Sequence, residues 1–511
     1  MKRDQHSLLW PLSAERFLAS LTLALLAGCA VGPDYHRPAA VATMPAAYAG
    51  ATNEWKTATP QAHLSKGSWW AIFGDSELNR LEVQAAEANQ QLQAAVARFG
   101  QARASADVVR SGLFPRVGAG FTATRQRDSA NRPLSNTGEA ASQSFTYNNF
   151  TLPFDLSYEL DLWGRVRRQV ESARAIAQAD AADLEGVRLA IAAEVAADYY
   201  TIRALDTEKT LLAASIGAYR KSLELTRNRR AGGLVSDLDV AQAETVLNTA
   251  EAQLPAITLT RTRFGHALAT LTGQPATLFH LPAVSLDRDP PVIPAELPSA
   301  LLERRPDIAA AEQRMAAANA DIGVAKAAYF PTVRFNGLAG FQSIDAGTLF
   351  NWPSRLWAVG PSLSLPLFEG GRRRANVRVA QAGYEETVAR YRQTVLTAFA
   401  EVEDNLAAQR LLTSQYEQEL ATLASARKQL EISNNRYRSG LVTYLQVATA
   451  QNAALERERI VARLRGQRFA AAVALVKSLG GGWQGLEQDR EEDSTHASQI
   501  NTQPNNPSTR Q

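Results

Sequence analysis

Most of this chain is written twice, and that limits its fold more than any other property of the sequence. Residues Leu223–Val240 (LELTRNRRAGGLVSDLDV) and Leu430–Val447 (LEISNNRYRSGLVTYLQV) are identical at nine of eighteen positions, at a constant offset of 207. Phe114-Pro115 and Phe330-Pro331 match at an offset of 216. By length alone, 511 residues would allow several domains. Repetition reduces them to one unit of about 200 residues, present twice.

Each duplicated stretch reads as helix, break at Gly233 or Gly440, and second helix, the bend of a long helical hairpin. Before the first bend no proline interrupts residues 166–230. Leu184, Val187, Ile191 and Val195, then Leu212, Ile216, Tyr219 and Leu223, keep the spacing of a coiled-coil seam. Such a run makes a rod of roughly 97 Å. A return helix follows over 237–272, and the second copy predicts helices over 306–328, 372–438 and 444–479. A further helix is expected from Asp75 to Arg110, with Asp75 or Ser76 as its N-cap.

Between the Phe-Pro pairs and the rods the period changes to two. Phe150, Leu152, Phe154, Leu156, Tyr158, Leu160 and Leu162 alternate with Thr151, Pro153, Asp155, Ser157, Glu159 and Asp161. A half-buried soluble strand has the same pattern, but thirteen residues also match the roughly 9–11 that cross a bilayer with tilt. Strands are likewise expected around Val117–Ala123, Val333–Phe341 and Trp357–Leu367, with polar loops over 126–144 and 342–355. Pro153, Pro361 and Pro366 lie inside strand patterns and are read as bends toward the helical part.

Four strands cannot close a barrel, and open edges do not survive in hydrocarbon. The chain is therefore expected to oligomerise, two copies giving eight strands and three giving twelve with the beginnings of a channel.

The N-terminus carries Lys2 and Arg3, an apolar run over 17–26, and Leu26-Ala27-Gly28-Cys29. That is an export signal ending in a lipobox, and Cys29, the single cysteine, is the candidate lipid attachment site. A free cysteine beside a cleavage site is the alternative. Removing residues 1–28 takes away three basic and two acidic residues, so the net charge goes from +3 to +2 and gives no sign of nucleic-acid binding. No apolar stretch beyond the leader is long enough for a membrane-spanning helix. The six histidines lack ligand spacing, and no catalytic constellation stands out. Glu401 and Glu403 read as solvated helix residues, so neither an enzyme nor a metal site is expected, and no cofactor beyond a covalent lipid on Cys29.

The expected organisation is a signal peptide over 1–28 and a lipidated arm over 29–74, in which Trp69, Trp70 and Phe73 are anchors. The first repeat covers 75–272, a Pro-rich connector 273–305, the second repeat 306–479, and a polar tail 480–511.

Several stretches carry a family resemblance: Gly28–Pro38 (GCAVGPDYHRP), Tyr158–Arg165 (YELDLWGR), Leu297–Ile308 (LPSALLERRPDI) and Leu479–Trp483 (LGGGW). The chain resembles the TolC-type outer membrane factors, in particular the NodT-like efflux lipoprotein branch with its OprM-type exit ducts. The resemblance implies a membrane α/β fold: a homotrimer whose twelve-stranded outer-membrane barrel, four strands per chain, continues into a long α-helical coiled-coil barrel. It also implies outer-membrane sorting, with Ala30 after the lipidated cysteine. Its partners would be a periplasmic adaptor and a proton-driven inner-membrane transporter. In that family the bends form the periplasmic tip, so Gly233, Leu234, Val235 and Ser236, with Gly440, Leu441, Val442 and Thr443, become candidates for adaptor docking. The alternative is that glycine ends a helix there and the apolar residues pack locally.

The best-known member has two aspartates ringing the closed mouth, where this chain has Gln446 and Thr449. Asp237 and Asp239, past the first bend, are either a substitute gate or acids favoured by the helix dipole. The leading expectation is an exit duct for small toxic compounds or drugs. A type I protein-secretion duct and a non-conducting lipid-anchored scaffold are the alternatives.

Overall fold

The computed structural model describes residues 30–40, 68–130, 144–293 and 305–481. The signal peptide, Cys29, most of the arm and the polar tail lie outside the described residues. The chain divides into two compact units, and each draws on both repeats: Met1–Pro38, Gln101–Ala177 and Gln313–Ala389 in the first, the remainder in the second.

The first unit holds one antiparallel sheet. Its strands are β1 (Arg116–Ala119), β2 (Thr122–Arg127), β3 (Thr146–Leu160), β4 (Thr332–Ser343) and β5 (Arg355–Ser364). Both β1 and β2 pair with β3, which pairs with β4, which pairs with β5. β1 and β2 follow one continuous register against β3, from Arg116 opposite Ser157 to Arg127 opposite Thr146. They are one strand, interrupted at Gly120-Phe121. The interruption has a local cause. Gly120 N–H donates to Pro153 O at 3.0 Å, but proline has no N–H to return the bond.

The registers run unbroken through Pro153 and Pro361, and Pro366 lies beyond the end of β5. The reading of the three prolines as bends within strands is corrected for Pro366, which is outside the strand. Pro361 keeps its register with β4, while Pro153 keeps its register with β4 but interrupts the ladder toward β1 and β2.

Alternation makes the two faces of the sheet different in kind. Val117, Phe121, Leu156, Phe335, Trp357 and Leu363 share one face. Arg116, Ser157, Glu159, Arg334 and Ser362 share the other. The apolar face is uncovered, with Val117, Trp357 and Leu363 at 73%, 76% and 69% exposure.

Seven α-helices are described: α1 (Ser76–Ala88), α2 (Gln90–Arg110), α3 (Arg165–Ala231), α4 (Asp237–Leu271), α5 (Pro306–Ala327), α6 (Arg372–Arg438) and α7 (Tyr444–Ser478). α3 and α6 are each 67 residues long, about 100 Å of helix. Among the described residues no helix is long and apolar enough to cross a membrane.

The single helix expected from Asp75 to Arg110 is instead two helices, broken at Asn89. Asn89 has extended backbone and is buried. Its Oδ1 accepts from Gln91 and Leu92 N–H at 2.9 and 3.0 Å, and its Nδ2 donates to Leu271 O at 2.9 Å. One side chain thus caps α2 and meets the end of α4, so the turn lost at the break is offset. Asp75 is the N-cap of α1 and also accepts from Tyr199 and Arg288.

The core of the second unit holds Trp69, Phe73, Tyr200 and Phe469, with Tyr200 and Phe469 stacked at 4.2 Å between ring centres. Farther along the hairpins, Leu212, Ile216, Tyr219 and Leu223 are buried against Val246, Leu247 and Ala250. Each large apolar side chain so buried contributes about 1.5–3 kcal/mol. Arg220–Glu251 and Arg427–Glu458 join the two helices of each hairpin at equivalent positions.

Candidate functional site

At the first bend Gly233 has φ +71. Its N–H donates to Arg230 O and the Leu234 N–H to Arg229 O, both at 2.9 Å. At the second bend Gly440 has φ +74 and Leu441 N–H donates to Arg436 O at 2.9 Å. These are two copies of one Schellman closure, in which glycine takes the left-handed position that a side chain disfavours. A Cβ at Gly233 or Gly440 would meet no atom within 4 Å, so the requirement is conformational and not steric. Gly233→Ala and Gly440→Ala are each expected to lower stability by about 1 kcal/mol, measured as a reduced melting temperature.

The next residues diverge. Ser236 caps α4 in a reciprocal box: Asp239 Oδ2 accepts from Ser236 N–H at 3.0 Å and from its hydroxyl at 2.8 Å. The equivalent Thr443 makes no side-chain cap. The N-terminus of α7 is served from the other bend instead, because Asp239 Oδ1 accepts from Tyr444 N–H at 3.2 Å. The opposite polarity is handled the same way. Arg229 donates to Tyr437 O at 2.7 Å and Arg438 O at 2.6 Å, with its guanidinium over the Tyr437 ring. An acid from the first repeat thus meets the positive end of α7, and a base from the first repeat meets the negative end of α6.

Behind these contacts Tyr437 and Tyr444 pack edge to face and are buried. The Tyr437 hydroxyl lies 3.2 Å from Thr226 Oγ1, and the Tyr444 hydroxyl donates to Gln451 at 3.1 Å.

Asp237 is fully exposed and makes an ion pair with Arg230 at 2.6 Å, which holds its carboxyl below the ordinary value. Burial pushes the Asp239 carboxyl up, but its bonds to Ser236 and Tyr444 outweigh that and leave it lowered. A group with a depressed folded value stabilises fully above the unfolded range near pH 4, and that stability is lost as pH falls through the folded value. Stability of the bends is therefore expected to stay flat from about pH 7 to about pH 5 and to fall only in stronger acid. Thermal melting across that range checks it.

Of the residues singled out in the sequence, Gly233 and Gly440 shape the bends, Ser236 and Asp239 form the cap, and Val442 packs inward on the hairpin core. Val235 is half-buried, whereas Thr443, Gln446 and Thr449 are exposed. Leu234 and Leu441 stand out at 76% and 70% exposure. Sequence reasoning missed Leu238 and Leu445, equally exposed one turn further on at 66% and 55%, and it missed Arg229. Both positions are identical between the repeats, Leu238 with Leu445 and Arg229 with Arg436, which is the signal that could have found them.

Cys29 lies outside the described residues, but the residues after it are firmly placed. Val31 N–H donates to Trp163 O at 3.0 Å, Asn319 to Pro33 O at 3.0 Å, and Arg168 pairs with Asp34 at 2.8 Å. A Cβ on Gly32 would lie 2.5 Å from Gly323 Cα, and one on Gly164 would lie 2.8 Å from Ala30 Cα. Two motifs read separately in the sequence also meet: Trp163 stacks on Phe330 at 4.7 Å and donates to Pro331 O at 2.8 Å. Arg305 of the third motif bonds Asp307 and Glu401 at 2.7 and 2.6 Å, a structural role for Glu401. Leu297–Arg304 and Trp483 lie outside the described residues.

Among the described residues no cluster of metal-ligating side chains occurs. Known proteins match the chain over most of its length. The outer membrane efflux protein family matches residues 81–274 and 297–481. The toluene efflux pump outer membrane protein TtgF of Pseudomonas putida is 34% identical over 468 residues, covering 90% of this chain and 95% of that protein. Outer membrane protein OprJ of Pseudomonas aeruginosa is 34% identical over 477 residues, covering 91% and 96%. The solved outer-membrane channel OprN superposes with a TM-score of 0.79 at 32% identity, over 89% of this chain and 100% of that one. With both halves matched to it, the chain belongs to the outer membrane efflux protein family and is an exit duct of the cell outer membrane.

Proposed function

We propose that three copies of the chain close a twelve-stranded barrel in the outer membrane, and that the paired hairpins continue it as a helical tunnel. The observation that carries this reading is the sheet. Its two edges, β5 and the β1/β2 strand, have no second neighbour among the described residues, and its apolar face is bare. In hydrocarbon such edges must be paired, and pairing β5 of one copy with the first strand of the next satisfies both. The polar face then lines the lumen. The role is conduction rather than catalysis.

The lipid anchor fits the same arrangement. Ala30 is packed on Gly164, four residues beyond the end of β3, so acyl chains on Cys29 would leave the protein where the strands end. The bends would be the periplasmic tips. Leu234, Leu238, Leu441 and Leu445 offer an adaptor two quasi-equivalent apolar ridges, and a proton-driven inner-membrane transporter would deliver the cargo. Relatives are named for toluene, antibiotic and solvent efflux, which favours small toxic compounds over secreted proteins.

The test combines mass measurement in detergent, planar-bilayer recording and gene deletion. The expected results are a trimer, discrete conductance steps, and higher susceptibility to solvents or antibiotics in the deletion strain. A trimer that never conducts, even with the bends altered, would favour the scaffold. Leu234→Asp with Leu441→Asp is expected to weaken adaptor binding about tenfold or more while leaving the trimer intact. Co-purification with the adaptor, together with native mass, checks it.

A further inference from the structure

The polar face of the sheet ends in a cavity of about 680 Å³ that the duct reading does not use. Arg116, Glu159 and Arg334 reach it from the strands and Arg165 from the start of α3, with Asp321 of α5 and apolar Val108 and Phe114 on the remaining walls. Register places the strand residues together, Arg116 opposite Ser157 and Glu159 opposite Arg334.

Charge in the cavity is uneven. Glu159 is engaged by Arg165 at 2.7 Å and more loosely by Arg334 at 3.7 Å. Arg116 has no ion pair among the described residues, and the side chain of Arg334 is 57% exposed. Burial pushes the Asp321 carboxyl up, against a hydrogen bond from Ser172, so its negative charge is disfavoured. Three guanidiniums therefore face two carboxylates, of which Glu159 is committed to Arg165. Beside them Val108 and Phe114 are bare, at 71% and 60% exposure.

We propose that this cavity binds amphiphilic organic anions, with their carboxylate or sulfonate held by Arg116 and Arg334 and their apolar body against Val108 and Phe114. A guanidinium presents its donors as a planar fork that fits such oxyanions. A cation of the same shape would meet the three arginines and find Glu159 already occupied. The location on the lumen wall rests on the duct reading above; the site itself does not. On the duct reading, the cavity is thus a place on the lumen wall where exported anions pause.

The experiment is equilibrium dialysis of the full protein in lipid nanodiscs against radiolabelled decanoate, with decyltrimethylammonium as the cationic counterpart and empty nanodiscs subtracted. Saturable binding of decanoate alone is expected. The pair Arg116→Gln and Arg334→Gln is expected to weaken it about tenfold or more, as loss of a charge-assisted hydrogen bond does. The pair Arg116→Lys and Arg334→Lys, which keeps the charge, should stay within about threefold if charge dominates. Equal loss in both pairs, with native mass unchanged, assigns recognition to the fork and still supports the site.

If the double variant does not assemble, Arg116→Gln alone serves, since it breaks no ion pair. Binding that does not saturate, that the cation shares equally, or that is untouched by the glutamine variants overturns the proposal. Recording from the same preparation separates the two readings. Decanoate binding without conduction removes the duct, and conduction without a decanoate site removes the cavity.

Discussion

Replacing Asp239 by alanine is expected to raise resting conductance in planar bilayers about 30-fold. One carboxylate closes the cap of α4 and also accepts from Tyr444 N–H at the head of α7. Loss of a helix cap costs about 1 kcal/mol. Loss of a charged acceptor for a second helix costs at least as much when that N–H has no alternative. Together, discounted for the partial exposure of the site, about 2 kcal/mol is removed from the arrangement that holds the two bends together, a factor of about 30 in its population.

Asp237→Ala supplies the contrast. Its partner Arg230 is exposed, as is Asp237 itself, and solvent screens such a pair, so conductance should change little. If Asp239→Ala leaves conductance unchanged but loses the adaptor, the bends serve docking and the seal lies elsewhere.

Gly340→Ala is expected to abolish assembly. Gly340 stands opposite Pro153, and a Cβ there would lie 2.2 Å from Leu152 O and 3.0 Å from Pro153 Cα. Both obstacles are backbone of the central strand, so no side-chain rotation relieves them. The strands would have to part, at a cost of about 3 kcal/mol or more in a sheet with no other route to pair its edge. Gly360→Ala, one strand away with nothing within 4 Å of its Cβ, should be nearly silent. Trimer yield on native gels distinguishes the two, and a normal yield of Gly340→Ala trimer would show that β3 and β4 separate more easily than their register implies.

Periodicity made the large elements legible. The alternation through Phe150–Leu160 became β3, and the seam of Leu212, Ile216, Tyr219 and Leu223 is buried as its spacing required. What escaped depends on partners remote in sequence. Nothing near Asn89 says that its amide meets Leu271 O, 182 residues away. The gap between β1 and β2 is caused by a proline on the facing strand, not by anything in Gly120 and Phe121.

The candidate site divides in the same way. Gly233 and Gly440 were readable because left-handed closure is a local property. The two duties of Asp239 were not, because Tyr444 lies 205 residues downstream. Cys29 lies outside the described residues, and the lipid on it is an expectation from the sequence alone.

The capping at the bends runs in one direction, from the first repeat to the second, and this bears on how the duplicated halves can change. A chain joining two second halves would carry glutamine at both positions equivalent to Asp239 and leave α7 without its borrowed acceptor. A chain joining two first halves would keep the backbone groups that bond Arg229 and Asp239 but would put Arg230 and Asp237 where the buried Tyr437 and Tyr444 rings pack, losing the ring under the Arg229 guanidinium. The halves are no longer interchangeable: one has become donor and the other recipient. A substitution harmless in one copy is therefore no guide to its twin, and recombination between the copies within a gene would tend to be purged.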